Sequence, residues 1–203
     1  MTRIDSLSAQ PDMVGRYKVL FSDGTVMRLY KQTVQDFGLY TGLELTDQQM
    51  AELTRSAQQM SAKMRAVRMV SASSISKKEL QQRLVQKGED AQCAAQAVSW
   101  LEEMDILDDE KTAQQIVSRA IGKGYGLARA KQMLYEKRIP KELWQQALAD
   151  YPDQLEHIQA FVQSHLTDPN DPKAVKKVVD ALIRKGHSYG AIRRVMDMDG
   201  WED

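Results

Sequence analysis

Apolar residues recur along this chain in a pattern that repeats at offsets of fifty and forty-eight positions. Two apolar residues four apart, followed by a basic pair or a Lys-Gly pair, occur three times: Leu80, Leu84 and Lys87-Gly88; Ala130, Leu134 and Lys137-Arg138; Val178, Leu182 and Lys185-Gly186. A second apolar group follows each, within 94–101, 144–151 and 192–196. Such repetition is typical of stacked helical units that cannot bury their apolar faces alone. The pattern predicts a mostly α fold, an elongated solenoid of three tandem three-helix repeats, with a small N-terminal β-hairpin.

The predicted boundaries divide the chain into four parts. Residues 1–48 form an N-terminal extension, and the helical repeats occupy 49–108, 109–152 and 153–203. Residues 1–14 are polar and are expected to be disordered or loosely attached. Residues 17–21 and 26–30 alternate with a period of two on either side of Asp23-Gly24, which predicts a β-hairpin with a two-residue turn. In this hairpin Tyr17 faces Tyr30 and Phe21 faces Val26.

Capping signals set the ends of the predicted helices. Thr46-Asp47 precedes a long amphipathic helix at 48–72, and Ser76 with Glu79 forms a capping-box pattern before a helix that Gly88 ends. Further helices are predicted at 90–104, 110–121, 127–137, 141–150, 153–166, 173–185 and 188–198. An alternative register of the last repeat pairs 178–186 with 116–124. The 48-residue offset is preferred because it also aligns the helix that follows.

Composition narrows the class of protein. Aromatic residues make up only 6% of the chain, which argues against a large all-β core. The single cysteine, Cys93, excludes an intramolecular disulfide and is expected to be a small buried filler in a reducing compartment. The chain has no apolar run of membrane-spanning length and no secretory signal at its start, so we expect a cytoplasmic protein that does not contact membranes.

Motifs for catalysis are absent from the sequence. The three histidines are far apart, and there is no HExxH, no cysteine pair and no Gly-x-Ser-x-Gly. The glycines of 122–126 lack the Gly-Lys-Ser/Thr ending and preceding strand of a phosphate-binding loop, so this segment is predicted to be a tight turn. Trp144 is predicted to lie in the core. We therefore expect a binding protein that is not an enzyme, has no metal or cofactor and acts as a monomer.

Charge alternates in bands that follow the repeats, although the net charge is zero. The segments 55–87, 111–141 and 173–194 carry +7, +7 and +6, whereas 89–110, 142–171 and 197–203 carry −8, −6 and −4. We expect the first two helices of each repeat to be basic and the third to be acidic. If like helices align when repeats stack, a basic surface and a separate acidic surface result. The alternative is that these charges only solvate helix exteriors.

The basic bands supply the predicted binding surface. Its candidate residues are Lys77, Lys78, Arg83, Arg119, Lys123, Arg129, Lys131, Lys176, Lys177, Arg184, Arg193 and Arg194. Arg119 and Lys123 are four positions apart, so they can share one helix face.

The order of motifs resembles the RecX family of recombination regulators over roughly residues 63 to 200. The resemblance lies in Ser76-x-x-Glu79-Leu80-x3-Leu84-x2-Lys87-Gly88, then Leu101 and Ile106-Leu107-Asp108-Asp109, then Gly124-Tyr125-Gly126 before Leu134, and finally Leu182-x2-Lys185-Gly186 with Ile192. The chain departs from the family pattern at two places. The Arg-Ser pair often found before the first Glu-Leu is replaced by the Ala-Ser-Ser-Ile-Ser sequence of residues 72–76, and the glycine expected near Asp105 is missing.

The resemblance implies three tandem three-helix repeats that bind the RecA recombinase filament in its helical groove. Such a protein modulates, and usually inhibits, strand exchange, ATP hydrolysis and coprotease activity, and so affects DNA repair and the SOS response. The implied partners are the RecA filament and, more weakly and with a dependence on salt, single- and double-stranded DNA. Two other functions stay open from the sequence: a helical DNA-binding protein acting alone, and a pure protein-protein scaffold.

Overall fold

The computed structural model describes residues 1–196, which form two compact units. The first unit contains residues 1–73 and 80–107, and the second contains residues 74–79 and the described residues from 108 onward. The fold is mostly helical with a small antiparallel N-terminal sheet, in agreement with the predicted fold class. The last two positions of the helix predicted at 188–198, and the acidic band at 197–203, lie outside the described residues. The division into three repeats at the stated boundaries stays a prediction.

The N-terminal sheet has four strands, two more than the predicted hairpin. They are β1 (Thr2–Leu7), β2 (Arg16–Phe21), β3 (Val26–Tyr30) and β4 (Glu44–Leu45), in the antiparallel order β3-β2-β1-β4. The prediction that residues 1–14 are loosely attached is wrong for β1, which pairs with both β2 and β4. Ile4 supplies the reason, because its side chain is fully buried between exposed polar neighbours.

The register of the hairpin differs by one residue from the prediction. Tyr17 pairs with Leu29 and Leu20 pairs with Val26, so neither predicted pair forms. The Phe21 N–H donates to the Thr25 carbonyl at 2.9 Å, which leaves a loop of three residues, 22–24. Gly24 has φ +84°, the left-handed conformation that closes three-residue hairpin loops. The Asp-Gly pair therefore marks the turn correctly, but the loop includes Ser22.

Two helices complete the N-terminal part of the first unit, α1 (Lys31–Asp36) and α2 (Asp47–Ala72). The predicted start of the long helix is confirmed, since Thr46 and Gln49 form a reciprocal capping box. One face of the sheet packs on α2 in a core made of Ile4, Val19, Phe21, Leu29, Leu39, Leu45 and Leu53. A two-stranded hairpin alone is marginally stable, so β2 and β3 are supported both by pairing with β1 and by this packing on α2.

The next two helices are α3 (Lys77–Gln86) and α4 (Ala91–Glu103). Asp90 caps α4 by accepting hydrogen bonds from the N–H groups of Gln92 and Cys93, and these donors lower the pKa of the Asp90 carboxyl. Arg65 of α2 donates to Glu89 at 2.6 Å, a salt bridge that joins α2 to the start of α4. Burial raises the pKa of the Cys93 thiol, which agrees with its expected role as a filler.

Six helices follow in the second unit. They are α5 (Asp109–Gly122), α6 (Leu127–Glu136), α7 (Trp144–Ala147, preceded by a 3-10 turn at Lys141–Leu143), α8 (Gln154–His165), α9 (Pro172–Arg184) and α10 (Tyr189–Met196). The helix predicted at 141–150 is shorter than expected, and the others match within about two residues. Residues 123–126 form a turn between α5 and α6, as predicted.

Among the described residues of the second unit, two hydrophobic clusters each join three consecutive helices. The first contains Ala113, Ile116, Val117, Leu134 and Ile139, with Trp144 and neighbours on α7 packed against it. The second contains Ile158, Val175, Val178, Val179, Leu182 and Ile192, from α8, α9 and α10. The 48-residue offset predicts this second grouping of three helices. Every member of the repeated pair is buried, namely Leu80, Leu84, Ala130, Leu134, Val178 and Leu182.

The helices end in the same way after each repeated pair. Gly88, Arg138 and Gly186 follow α3, α6 and α9, with φ of +90°, +56° and +87°. In each case the N–H of the following residue donates a hydrogen bond to the carbonyl of the second apolar residue. For example, the Glu89 N–H donates to the Leu84 carbonyl at 3.1 Å. Asp105, where the family resemblance leads one to expect a glycine, also has a positive φ of 55°.

Candidate partner-binding surface

All twelve predicted binding residues are accessible to solvent. Nine are exposed, and Lys77, Arg129 and Arg193 are partly buried. They lie on α3 (Lys77, Lys78, Arg83), α5 and its following turn (Arg119, Lys123), α6 (Arg129, Lys131), α9 (Lys176, Lys177, Arg184) and α10 (Arg193, Arg194). Accessibility is compatible with binding, and the assignment of these residues to a site stays a prediction.

Some of these side chains already have partners within the chain. Arg129 donates to Glu136 at 3.1 Å along α6, and the Lys123 ammonium lies 5.9 Å from the centre of the Tyr125 ring. Arg184 Nε donates to the Asp180 carbonyl at 3.3 Å. Arg119 and Lys123 lie one helical turn apart, with the Lys123 N–H donating to the Arg119 carbonyl at 3.2 Å. Cations at helix C-termini also stabilise the helix dipole, so part of this charge has a structural role.

The expected order of charge fails in the third repeat. Helix α8 carries Glu156 and no lysine or arginine, whereas α9 and α10 are basic. The basic helices are therefore the second and third of this repeat, not the first and second. The charge bands of the sequence therefore do not fall on the same helix positions in all three predicted repeats.

The start of α3 is joined to the end of α6. The Ser76 hydroxyl donates to the Lys137 carbonyl at 2.6 Å and accepts from the Glu79 N–H at 3.1 Å. Ser76 thus caps α3 as predicted, and it also satisfies a carbonyl at the end of α6. The Lys137 ammonium lies 3.5 Å from Glu79, and the Lys77 N–H donates to Asp109 at 2.9 Å.

The start of α6 is joined to the end of α9 in the corresponding way. The Gly126 N–H donates to the Lys185 carbonyl at 2.9 Å, and the Ala128 N–H donates to the Gly186 carbonyl at 3.3 Å. A Cβ on Gly126 would lie 2.0 Å from the Gly186 oxygen, and one on Gly186 would lie 2.4 Å from the Arg129 nitrogen. The two glycines are required here because the backbones touch. Gly126 lies fifty residues after Ser76, so the same junction recurs with a different residue.

His187 occupies the interior of this second junction. Its Nε2 lies 3.1 Å from the Gly124 carbonyl, and its Nδ1 lies 3.2 Å from Gln154 Oε1. Burial lowers the pKa of His187, and the charges of His157 and Lys185 act in the same direction. The hydrogen bond to Gly124 opposes them. The glycine-rich turn thus serves as a docking point for the third repeat, which the sequence did not reveal.

The described residues 1–196 give no indication of a metal centre or a membrane span. No group of three or more His, Cys, Asp and Glu side chains in this range could hold a metal ion. None of the helices in the same range has both the length and the apolar character needed to cross a bilayer.

Comparison with known proteins identifies the class. Residues 108–148 match the family model described as the second three-helix domain of RecX. A crystal structure of regulatory protein RecX superposes with a TM-score of 0.67, at 21% identity, covering 97% of this chain and all of that one. The RecX structure from Lactobacillus salivarius gives a TM-score of 0.59 at 19% identity, covering 70% of this chain and 96% of its own. The fold is therefore that of a RecX protein.

Sequence relatives agree with the fold. Regulatory protein RecX of Clostridioides difficile (strain 630) is 23% identical over 97% of this chain and 94% of its own length. Regulatory protein RecX of Vibrio parahaemolyticus is 28% identical over 71% of this chain and 96% of its own. The resemblance to RecX read from the motifs is confirmed, since this chain is similar to RecX proteins in sequence over most of its length and in fold.

Proposed function

We propose that this protein is a non-catalytic regulator that binds the RecA recombinase filament on DNA and inhibits its strand exchange, ATP hydrolysis and coprotease activity. The observation that carries the proposal is the similarity to proteins named regulatory protein RecX, which extends over 97% of the chain. Inhibition of RecA would place the protein in DNA repair and the SOS response. It would act in the cytoplasm, where the filament forms, and as a monomer.

The distribution of charge supports this function. A recombinase filament is periodic and contains a polyanion, so a partner with basic side chains on successive repeats can contact both protein and DNA. The predicted binding residues lie on helices of the first, second and third repeats and are all accessible. A single compact basic patch would reach only one filament subunit, whereas a repeating one fits a repeating partner.

The decisive experiment measures ATP hydrolysis by RecA on single-stranded DNA while this protein is titrated in. Inhibition at well below one protein per recombinase is expected, because one bound regulator affects many subunits of a filament. Sedimentation of the protein alone at the same concentrations checks the monomeric state. Binding to naked single- and double-stranded DNA is measured in parallel and should weaken log-linearly with salt.

Each rival function has its own outcome in this experiment. Unchanged ATP hydrolysis together with tight binding to bare DNA would replace the proposal with a DNA-binding protein acting alone. If the protein binds the filament without inhibiting it, and salt does not change the affinity, the protein is a scaffold.

A further inference from the structure

An open groove of about 630 Å³ lies where α6 ends. The side chains that line it include three cations and two aromatic rings, namely Lys78, Arg138, Lys141, Tyr135 and Trp144. Of these five residues, only Lys78 is among the predicted binding residues. The fold alone does not assign a function to the groove. The whole groove belongs to the second unit.

The groove is suited to an anion. Three cations line it, and of its two carboxylates, Glu136 and Glu142, the first accepts from Arg129 at 3.1 Å. Within residues 1–196, Lys78, Arg138 and Lys141 take part in no ion pair. These cations are therefore available to a ligand.

Arg138 is held in a conformation that its side chain disfavours. Its φ is +56°, whereas the two equivalent positions hold Gly88 and Gly186. Glycine would adopt this backbone without strain, and a non-glycine residue at positive φ is uncommon. Such strain is concentrated at functional sites, where the surrounding structure maintains it. The second repeat thus has a cation where the turn itself favours glycine.

An exposed aromatic ring stands beside these cations. Tyr135 is 69% exposed, and the equivalent positions of the other repeats hold the aliphatic residues Val85 and Ile183. The Trp144 ring is fixed at the groove by its Nε1–H, which donates to the Ile139 carbonyl at 3.0 Å. Proteins bind single strands by stacking bases on aromatic rings while nearby cations hold the phosphates. A duplex offers no unstacked base to such a ring.

We propose that this groove binds single-stranded nucleic acid, with a base stacked on Tyr135 and the flanking phosphates held by Lys78, Arg138 and Lys141. The inference deepens the proposed function, because it assigns a DNA contact to the regulator. Its test needs no recombinase, so failure of the groove and failure of the regulatory role are distinguishable.

The experiment measures fluorescence anisotropy of a labelled oligothymidylate with the full chain and its variants. Tyr135→Ala removes the stacking surface and should weaken binding roughly fivefold to tenfold, whereas Tyr135→Phe should bind as the original chain does. Arg138→Gly should weaken binding and lower the slope of log affinity against log salt by about 0.7, the value for one phosphate contact on a single strand. Lys173→Gln removes a cation outside the groove and is the matched charge control.

Arg138→Gly also separates binding from folding. Because glycine relieves the strained backbone, its thermal midpoint should equal or exceed that of the original chain, so weaker binding cannot be attributed to unfolding. Unchanged affinity in both Tyr135→Ala and Arg138→Gly would overturn the proposal. So would equal loss in Lys173→Gln, or complete competition by polyglutamate at the same charge concentration, which would indicate an acidic peptide as the ligand.

Discussion

Burial of the His187 imidazole should make the stability of the second unit dependent on pH. His187 is buried between the Gly124 carbonyl and Gln154, and burial lowers its pKa from an ordinary value of 6.5. The unfolded chain therefore binds a proton more readily than the folded one. The stability associated with neutral His187 is fully present above pH 6.5 and is lost as the pH falls through the lower folded pKa.

We expect the thermal midpoint, followed by circular dichroism, to fall between pH 7.5 and pH 5.5. His187→Gln should start from a lower midpoint but show a smaller fall over this range. His165→Gln is the control, because His165 is exposed and should leave the pH dependence intact. An equal pH dependence in the original chain and His187→Gln would show that other groups cause it.

At the scale of elements, the junction between the start of α6 and the end of α9 depends on close backbone contact. Gly126→Ala would place a Cβ 2.0 Å from the Gly186 oxygen, and backbone cannot yield as a flexible side chain can. We expect a loss of about 2 kcal/mol in the free energy of unfolding, typical of overpacking. Urea denaturation of the original chain and of Gly126→Ala measures this loss.

The matched control for this junction is Gly122→Ala, in the same glycine-rich segment. Gly122 ends α5 with nothing within 4 Å of its Cβ position, and alanine favours helix, so this variant should be neutral or stabilised by less than about 1 kcal/mol. Similar losses in both variants would mean that the segment needs glycine for flexibility and not for contact.

The same elements show what a sequence can and cannot predict. Helix ends were predictable because caps such as Thr46, Ser76 and Gly88 act within a few residues. The strand β1 was missed because one buried residue, Ile4, defines it through pairing with distant strands. The Gly126–Gly186 contact joins positions sixty residues apart, and no local pattern marks it.

The candidate site was predictable to the same limited degree. Charge bands correctly indicated accessible cations, because lysine and arginine are rarely buried. The groove beside Trp144 was not predicted, since this tryptophan follows the apolar pattern and was assigned to the core. Trp144 is in fact partly buried. It packs against the core and also lines the groove. Position in a repeat shows which residues can be buried, but not which of them also line a surface.

At the scale of the whole molecule, binding to a filament should depend on charge carried by more than one repeat. Lys176 and Lys177 are exposed on α9, in the repeat farthest along the chain from the groove residue Lys78. Reversing both, Lys176→Glu with Lys177→Glu, changes the charge of a basic band by four units while leaving the buried face of α9 unchanged. We expect the concentration for half-inhibition of RecA ATP hydrolysis to rise about tenfold, with an unchanged helical circular-dichroism signal.

The control for this variant reverses charge in an acidic band. Glu103→Lys lies at the end of α4, where a cation favours the helix dipole, so it should fold normally and inhibit at least as well as the original chain. If the α9 variant inhibits normally while Tyr135→Ala and Arg138→Gly are impaired, contact is confined to the groove at the end of α6. Impairment of all three, most evident at high salt where weak binding is lost first, would mean that one molecule uses successive repeats on one filament.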